Sequence, residues 1–309
     1  MNRVCAILVS RNRKSLLRET LFALANQTRP PQAIVVVDNA STDGTELMLA
    51  RQFPHVAVLK LPRNTGSSGG YHVGIRWALQ QGFDWVWTLD DDSVPQPGAL
   101  AALLHCHERF GPDRRPWLLA SKVLWTDGSL HPMNVQKLKL YDADLQFTAA
   151  EQGAMSIRFT SFVSMLVHRR LIEAHGLPIA GYFLWNDDVE FSARLLRHEF
   201  GVMAPDSIVV HKTPSKHVPA TSIGGKYFYE VRNKLWIIRH SSAFSRGEKW
   251  WMAKSLLRRT WRHLCQSRFS RQSVSAIARG LTAGLAAAPK LDLPAPACAV
   301  SRPSATIAA

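Results

Sequence analysis

Apolar and polar positions alternate in two rhythms along the first ninety residues. Residues 4–9 are an unbroken apolar run that ends in Ser10-Arg11-Asn12, the pattern of a buried strand feeding a polar loop. Leu17, Leu21 and Leu24 then recur at helical spacing, and Pro30-Pro31 stops that helix. Residues 33–37 predict a second strand ending at Asp38-Asn39, after which Asp43 with Glu46 three residues on predicts a capped helix start. Residues 56–61 predict a third strand, the glycine-rich stretch Asn64-Thr65-Gly66-Ser67-Ser68-Gly69-Gly70 a loop, and residues 71–80 a helix. Residues 85–89 predict a fourth strand that runs straight into Asp90-Asp91-Asp92. Strands alternating with helices at this pace predict an α/β fold, a mostly parallel central sheet with helices on both faces. Ligands of such sheets bind beyond the carboxyl ends of the strands. Here those ends carry Arg11, Asp38, Arg63-Asn64 and the aspartate triplet.

Past residue 97 the pattern loosens. Residues 99–110 and 169–175 read as helices, 117–125 and 159–167 as strands, and 126–152 as a loop-rich insertion. Asn186-Asp187-Asp188-Val189-Glu190 opens a helix through Arg197, and Ile208-Val209-Val210-His211 closes a short strand. The expected organisation is a catalytic domain over 1–235, a basic helical region over 236–285, and a disordered Ala-, Pro- and Ser-rich tail over 286–309.

Charge changes this picture. A formal net charge of +15 points to an anionic partner, either nucleic acid, phospholipid or a phosphorylated small molecule. The excess is concentrated at the rear, where residues 231–271 hold eleven Lys and Arg against one acid, Glu248. Within that stretch Trp250, Ala253, Leu257, Trp261 and Leu264 repeat at helical spacing beside Lys254, Arg258, Arg259 and Arg262. Such a helix either lies on an anionic membrane surface or packs its stripe on the catalytic domain. No nucleic-acid-binding motif accompanies the charge, so a basic nucleic-acid-binding α/β protein is the distant alternative. Cys5, Cys106, Cys265 and Cys298 are too scattered for a zinc site or a disulfide framework. The N-terminus enters a strand without a signal-peptide pattern, and no stretch approaches the roughly 20 apolar residues of a spanning helix. A cytoplasmic protein is expected, soluble or peripheral on the inner face of the membrane.

Four features carry chemistry. Three adjacent aspartates at a strand end repel one another, and a divalent cation with a taste for oxygen ligands, Mg²⁺ or Mn²⁺, removes that problem; a solvated acidic turn is the structural alternative. Asp187, Asp188 and Glu190 at a helix start are favoured by the dipole, yet a carboxylate so placed can also act as a general base. His211 at a strand end is either a structural imidazole or a further metal ligand. The glycine-rich stretch fits neither the dinucleotide nor the P-loop spacing, but could let backbone approach a ligand closely.

Taken in order, the Ser10-Arg11-Asn12 strand end, Val37-Asp38-Asn39-Ala40-Ser41-Thr42-Asp43-Gly44-Thr45, the glycine-rich stretch, the triplet, Trp185-Asn186-Asp187-Asp188-Val189-Glu190, His211 and Tyr227-Phe228-Tyr229-Glu230-Val231-Arg232-Asn233-Lys234 resemble the family 2 inverting glycosyltransferases of GT-A fold. Within that family the loop and the acidic motif look most like bacterial galactofuranosyltransferases, then rhamnosyltransferases. The resemblance implies transfer of a sugar, UDP-galactofuranose favoured over dTDP-rhamnose, from a nucleotide-diphosphate donor to a glycan or lipid-linked acceptor in surface polysaccharide synthesis. It places Asp38 on the donor's base, with Arg11, Asn64, Gly70, Asp90 and Asp91 also in the donor pocket. It makes Asp90, Asp92 and His211 the ligands of Mn²⁺ or Mg²⁺, Asp188 the general base, Asp187 its support or an acceptor contact, and Glu190 an acceptor-orienting group. Family members often have Trp directly before the acidic pair. Here Asn186 intervenes, which leaves open whether Asp187 or Asp188 holds the base position.

Overall fold

A computed structural model of the chain describes residues 3–216, 223–289 and 300–301. Its first half follows the hydrophobic pattern: β1 (Val4–Ser10), α1 (Lys14–Ala25), β2 (Ala33–Asp38), α2 (Thr45–Gln52), β3 (Ala57–Lys60), α3 (Gly66–Gln80) and β4 (Trp85–Asp90). β1 pairs parallel with β2 and β4, and β2 pairs parallel with β3. Successive side chains of β1 enter opposite layers, as the pleat requires. Val4, Ala6 and Leu8 join Leu17, Leu21, Trp85 and Trp87, whereas Cys5 and Ile7 join Val35, Tyr71, Ile75 and Val86. Both faces of the parallel sheet are therefore covered, as expected.

Two local expectations are corrected here. From Gly66 on the glycine-rich stretch is not a loop, because α3 begins there and those glycines and serines build about its first turn and a half. Their smallness is needed for packing. A Cβ on Gly66, itself at φ +74°, would sit 1.9 Å from the carbonyl oxygen of Phe183, and one on Gly70 would sit 2.4 Å from the Val9 side chain. Asp43 is not the cap of α2 either. Gly44 holds that position at φ +82°, while Asp43, one residue earlier, accepts from the N–H of Thr45 (3.1 Å) at α2's start and with its other oxygen from the N–H of Lys14 (3.0 Å), tying α2's start to α1.

The second half adds β5 (Ser93–Pro95), α4 (Ala99–Arg109), β6 (Leu118–Leu124), β7 (Lys137–Leu138), α5 (Ala143–Glu151), β8 (Met155–Phe159), β9 (Met165–His168), α6 (Arg169–His175), α7 (Asp187–Leu195) and β10 (Gly201–His211). With β11 (Val300–Ser301) the sheet runs β11-β3-β2-β1-β4-β9-β6-β10-β8-β7, and β5 pairs with β10. β9 is antiparallel to both β4 and β6, while β6 and β10 are parallel. The single strand expected over 159–167 is two, since the chain turns between them through Ser164 at φ +58°. The turn is fixed by Trp87, whose indole N–H donates to the Ser164 hydroxyl at 2.9 Å. The insertion at 126–152 contains α5, started by Asp142, whose carboxylate accepts from the Leu145 N–H.

Three helices close the chain: α8 (Tyr227–His240), α9 (Arg246–Gln266) and α10 (Arg271–Ala286). The boundary expected at residue 235 falls inside α8, whose Trp236 and Ile237 pack with Tyr182 and Ala193 of the catalytic unit. The expected tail lies largely outside the described residues, apart from 286–289 and β11, which pairs antiparallel with β3.

Candidate active site

The carboxyl ends of β1, β4 and β10 converge, and β5 explains how His211 reaches the aspartates. Ser93 of β5 is the register partner of His211, so Asp92, one residue earlier, lies beside the imidazole. Asp92 Oδ1 is 3.0 Å from His211 Nε2, and Asp90 Oδ2 is 3.9 Å away. One ligand atom each from Asp90, Asp92 and His211 lies within 4.8 Å of the others. The other imidazole nitrogen, Nδ1, is 2.8 Å from the Asn134 side-chain oxygen. That oxygen can only accept, so Nδ1 carries a proton; with no cation present Nε2–H can donate to Asp92, and on losing that proton Nε2 would offer its lone pair to a metal. Two carboxylates and an imidazole with its far nitrogen anchored are a donor set that suits Mn²⁺ or Mg²⁺.

The middle aspartate is different. Neighbours on an extended chain point to opposite sides, and Asp91 is buried with Oδ2 accepting from the Ser10 hydroxyl at 2.8 Å. Its backbone carbonyl accepts from Thr20 of α1 at 3.0 Å. Burial pushes the Asp91 carboxyl up to about 7, with Arg13 opposing. Asp91 therefore anchors the triplet to β1 and α1, a correction to its expected place among donor contacts. Arg13 is the neighbour that sequence reading missed. Its guanidinium lies 2.5 Å from Asp92 Oδ2 and 3.3 Å from Asp91 Oδ1, a positive charge at the cluster's edge. Burial would drive the His211 imidazolium down, but its hydrogen bond to Asp92 and the charges of Asp90 and Asp92 hold it above its usual range.

The second acidic motif lies on the same side of the molecule, joined to the first through α3. Ser67 donates to Asp187 Oδ2 (3.1 Å), and one turn along, the fully buried Tyr71 donates to Asp90 Oδ1 (2.7 Å). Asp187 is buried, while Asp188 is half-buried. Burial pushes the Asp187 carboxyl up to about 6, with the Ser67 hydroxyl opposing. Burial, then the charge of Asp187, pushes that of Asp188 up to about 8. The field of Asp90 acts on both.

The loop before this pair is strained and clamped. Phe183, Trp185 and Asn186 all have φ between +62° and +66°, a region that costs non-glycine residues of order 1–3 kcal/mol each. The fully buried Asn233 of α8 donates its amide to the carbonyls of Tyr182, Leu184 and Trp185 at 2.8–3.0 Å, and Arg232 donates to Tyr182 at 2.7 Å. Asn186 in turn donates to Glu230 (2.8 Å). The Tyr227–Lys234 segment thus holds the acidic pair in place from behind.

The remaining expected residues divide. Asp38 is buried at the end of β2, its carboxylate accepting from Ser41 N–H (2.9 Å), so the side chain shapes that strand end. Asn64 accepts from Gly66 N–H at 3.0 Å, and Arg11 is exposed beside the same rim. Gly70 is corrected: it is buried in α3 against Val9 and serves the approach of helix to sheet. Glu190 is corrected too. It sits about 200° round α7 from Asp188, is 1 % exposed, pairs with Arg194 (3.0 Å) and accepts from Ser241 (2.9 Å). It lines a cavity of about 530 Å³ with His72, His175, Tyr182, Arg194 and Ser241, away from the Asp90–Asp92–His211 cluster. These contacts hold α7 and set Glu190 apart from the Asp90–Asp92–His211 cluster.

Comparison with known proteins agrees with this geometry. Residues 5–113 match glycosyl transferase family 2. Galactofuranosyltransferase GlfT1 of Mycobacterium tuberculosis is 27% identical over 263 residues, covering 76% of this chain and 82% of that protein. The N-acetylglucosaminyl-diphospho-decaprenol L-rhamnosyltransferase of the same organism is 24% identical, covering 71% and 81%. Among solved structures, the mannosyltransferase PcManGT of Pyrobaculum calidifontis, in complex with GDP-Man and Mn²⁺, superposes with a TM-score of 0.54 at 17% identity, covering 92% of this chain and 74% of that one. Over residues 5–113 the chain is thus similar to glycosyl transferase family 2, and its fold is the GT-A fold of the glycosyltransferase structures on which it superposes.

Proposed function

We propose that the protein transfers one hexosyl unit, with inversion, from a nucleotide-diphosphate sugar to an acceptor hydroxyl, and that UDP-galactofuranose is the donor. The supporting observation is that Asp187, next to the half-buried Asp188, and the Asp90–Asp92–His211 cluster both meet the same stretch of α3. Galactofuranose rests on the likeness to GlfT1. A dTDP-rhamnose donor, by likeness to the rhamnosyltransferase, is the second reading.

In this mechanism Asp90, Asp92 and His211 would hold Mn²⁺ or Mg²⁺, which would supply positive charge against that gained by the departing diphosphate. Asp188 accepts the proton of the acceptor hydroxyl as that oxygen attacks the anomeric carbon from the side opposite the diphosphate. One backside displacement inverts that centre. Asp188 is the better base of the pair: Asp187 is buried and takes a hydrogen bond from Ser67, whereas Asp188 is reachable. Asp187 raises the basicity of its neighbour through its charge. Arg13 is a second cation beside the leaving group. Arg11, Asp38 and Asn64 line the strand-end rim where the base and ribose of the donor would lie. The acceptor is a glycan or lipid-linked glycan of surface polysaccharide, met at the cytoplasmic face of the membrane.

The test is a thermal-shift screen of UDP-, dTDP- and GDP-sugars with and without Mn²⁺, followed by NMR of the product's anomeric proton. Selective stabilisation by a uridine nucleotide with Mn²⁺ and a product of opposite anomeric configuration are expected. A product that keeps the donor's configuration would overturn the single displacement.

A further inference from the structure

The α9 helix was expected either to pack its aromatic stripe inward or to present it outward. It packs with a different set. Leu256 and His263 are buried, His263 stacking on Tyr227 at 3.9 Å between ring centroids, and Met252 is partly buried. The opposite face carries Trp250, Leu257 and Trp261, which are 60%, 72% and 64% exposed. These positions, i, i+7 and i+11, form one stripe roughly 16 Å long at helical rise. Trp251 and Phe269 extend it at either end, 68% and 53% exposed, with Phe269 set edge-on to Trp261.

Cations flank this stripe. Lys254, Arg258 and Arg262 follow one another at i+4 spacing along its side and are exposed. Lys254 lies over the rings of both Trp250 (4.7 Å) and Trp251 (5.3 Å). From Arg246 to Ala286 the chain holds nine Lys and Arg, and its single acid, Glu248, is already taken by Arg158 at 2.8 Å. A contiguous stripe of exposed apolar side chains marks an interaction surface. Indoles beside unpaired cations match the boundary of a bilayer, where the rings sit at headgroup level and the cations meet anionic lipid phosphates. No described helix is long and apolar enough to cross a membrane, so contact would be from the side.

We propose that this face of α9 is a docking surface for an anionic phospholipid bilayer. The helix is fixed to the catalytic unit where it starts, through the Ser245–Glu248 capping box and the Arg158–Glu248 pair. Arg259 of α9 stands 3.7 Å from Glu230, which accepts from Asn186 at the start of the helix bearing Asp187 and Asp188. Docking through α9 therefore holds the acceptor side of the site in a set relation to the membrane.

Vesicle co-sedimentation of the full chain tests this, using phosphatidylcholine vesicles with and without about one third phosphatidylglycerol. Wild type is expected to pellet with the anionic vesicles and to stay in solution with the neutral ones. The triple substitution W250A/L257A/W261A should reduce that binding at least tenfold, and K254E/R258E should abolish it. Both variants should retain wild-type turnover of a water-soluble acceptor, which separates this surface from the catalytic reading. Equal partition of wild type and both variants overturns the proposal. So does a wild-type dimer in light scattering that the triple substitution dissolves while vesicles bind neither form, since a second copy would then cover the face.

Discussion

The two acidic clusters differ in what surrounds them. Around Asp90–Asp92 the neighbours are cationic or polarised toward the carboxylates: Arg13, His211 and the Tyr71 hydroxyl. Around Asp187–Asp188 they are a serine hydroxyl, backbone N–H groups, another carboxylate and, with the smallest effect, the charge of Lys234, and burial dominates. In the first, burial still raises Asp90 and Asp91, but at Asp92 the contacts from His211 and Arg13 outweigh burial and hold the carboxyl below its usual range, which suits a cation site. The second opposes charge and raises basicity, which suits a group that must take up a proton during the reaction. Helix α3 touches both, so the two environments are held by one element.

The largest expected effect breaks the second cluster. Asp188→Asn should reduce turnover by ~10²–10⁴, the usual span of general-base catalysis, with KM for donor changed less than about threefold in steady-state assays. Near-normal turnover would move the base role elsewhere. Breaking the first cluster comes next. One opposite-charge contact near 4 Å is worth roughly 4 kcal/mol at an effective dielectric near 20, or about 10³ in rate. Asp92→Ala, or chelation of the wild type with EDTA, should approach that loss, and excess Mn²⁺ should restore only the chelated enzyme. Unchanged turnover in EDTA would contradict a metal-dependent first cluster.

Asn233→Ala tests the clamp behind the second cluster. Three hydrogen bonds at about 0.5–1.5 kcal/mol each restrain the strained 183–186 loop. Their removal should lower thermal stability and cut turnover by roughly ten- to a hundredfold. Gln at 233 should not rescue it, because the longer amide cannot keep the same three partners. Loss of stability with full turnover in the surviving folded enzyme would reduce Asn233 to a packing role.

The smallest effect concerns pH. Carboxyls whose folded pKa is raised stabilise the fold most at low pH, and that contribution falls as pH rises from the unfolded value near 3.8 through the raised folded values. The melting temperature of Asp188→Asn should therefore overtake wild type progressively from about pH 4 to pH 8 and then run parallel to it, by about 2–4 °C for each kcal/mol. A constant offset between the two across that range would show that Asp188 is not desolvated. By the same sign, turnover should fall as pH drops through the raised values, because the protonated base cannot accept.

Much of this was legible before any coordinates. The parallel half of the sheet follows from apolar runs 4–9, 33–37 and 85–89, since strands buried on both faces write themselves as continuous hydrophobic stretches. Asp90, Asp92 and His211, which the fold brings together, could be singled out because they lie at or just past the ends of apolar runs. What could not be read was set by tertiary partners. Gly66 and Gly70 look like a ligand loop until Phe183 and Val9 are seen against them. Arg13 is one surface cation among many until β4 ends beside it. Asn134 lies in a stretch with no periodicity, and only the hydrogen bond to His211 reveals its use. Glu190 shares its motif with Asp188, yet Arg194 and Ser241 claim it. The aromatic stripe of α9 was readable as amphipathic, but which side faced the protein depended on Tyr227 and His263.

Calorimetric titration of UDP with and without Mn²⁺, run on wild type, Asp92→Ala and Asp188→Asn, most directly tests the division between the clusters. Wild type and Asp188→Asn should bind UDP with equal, Mn²⁺-dependent affinity, and Asp92→Ala should bind weakly and without regard to the metal. Equal weakening by both substitutions would contradict it.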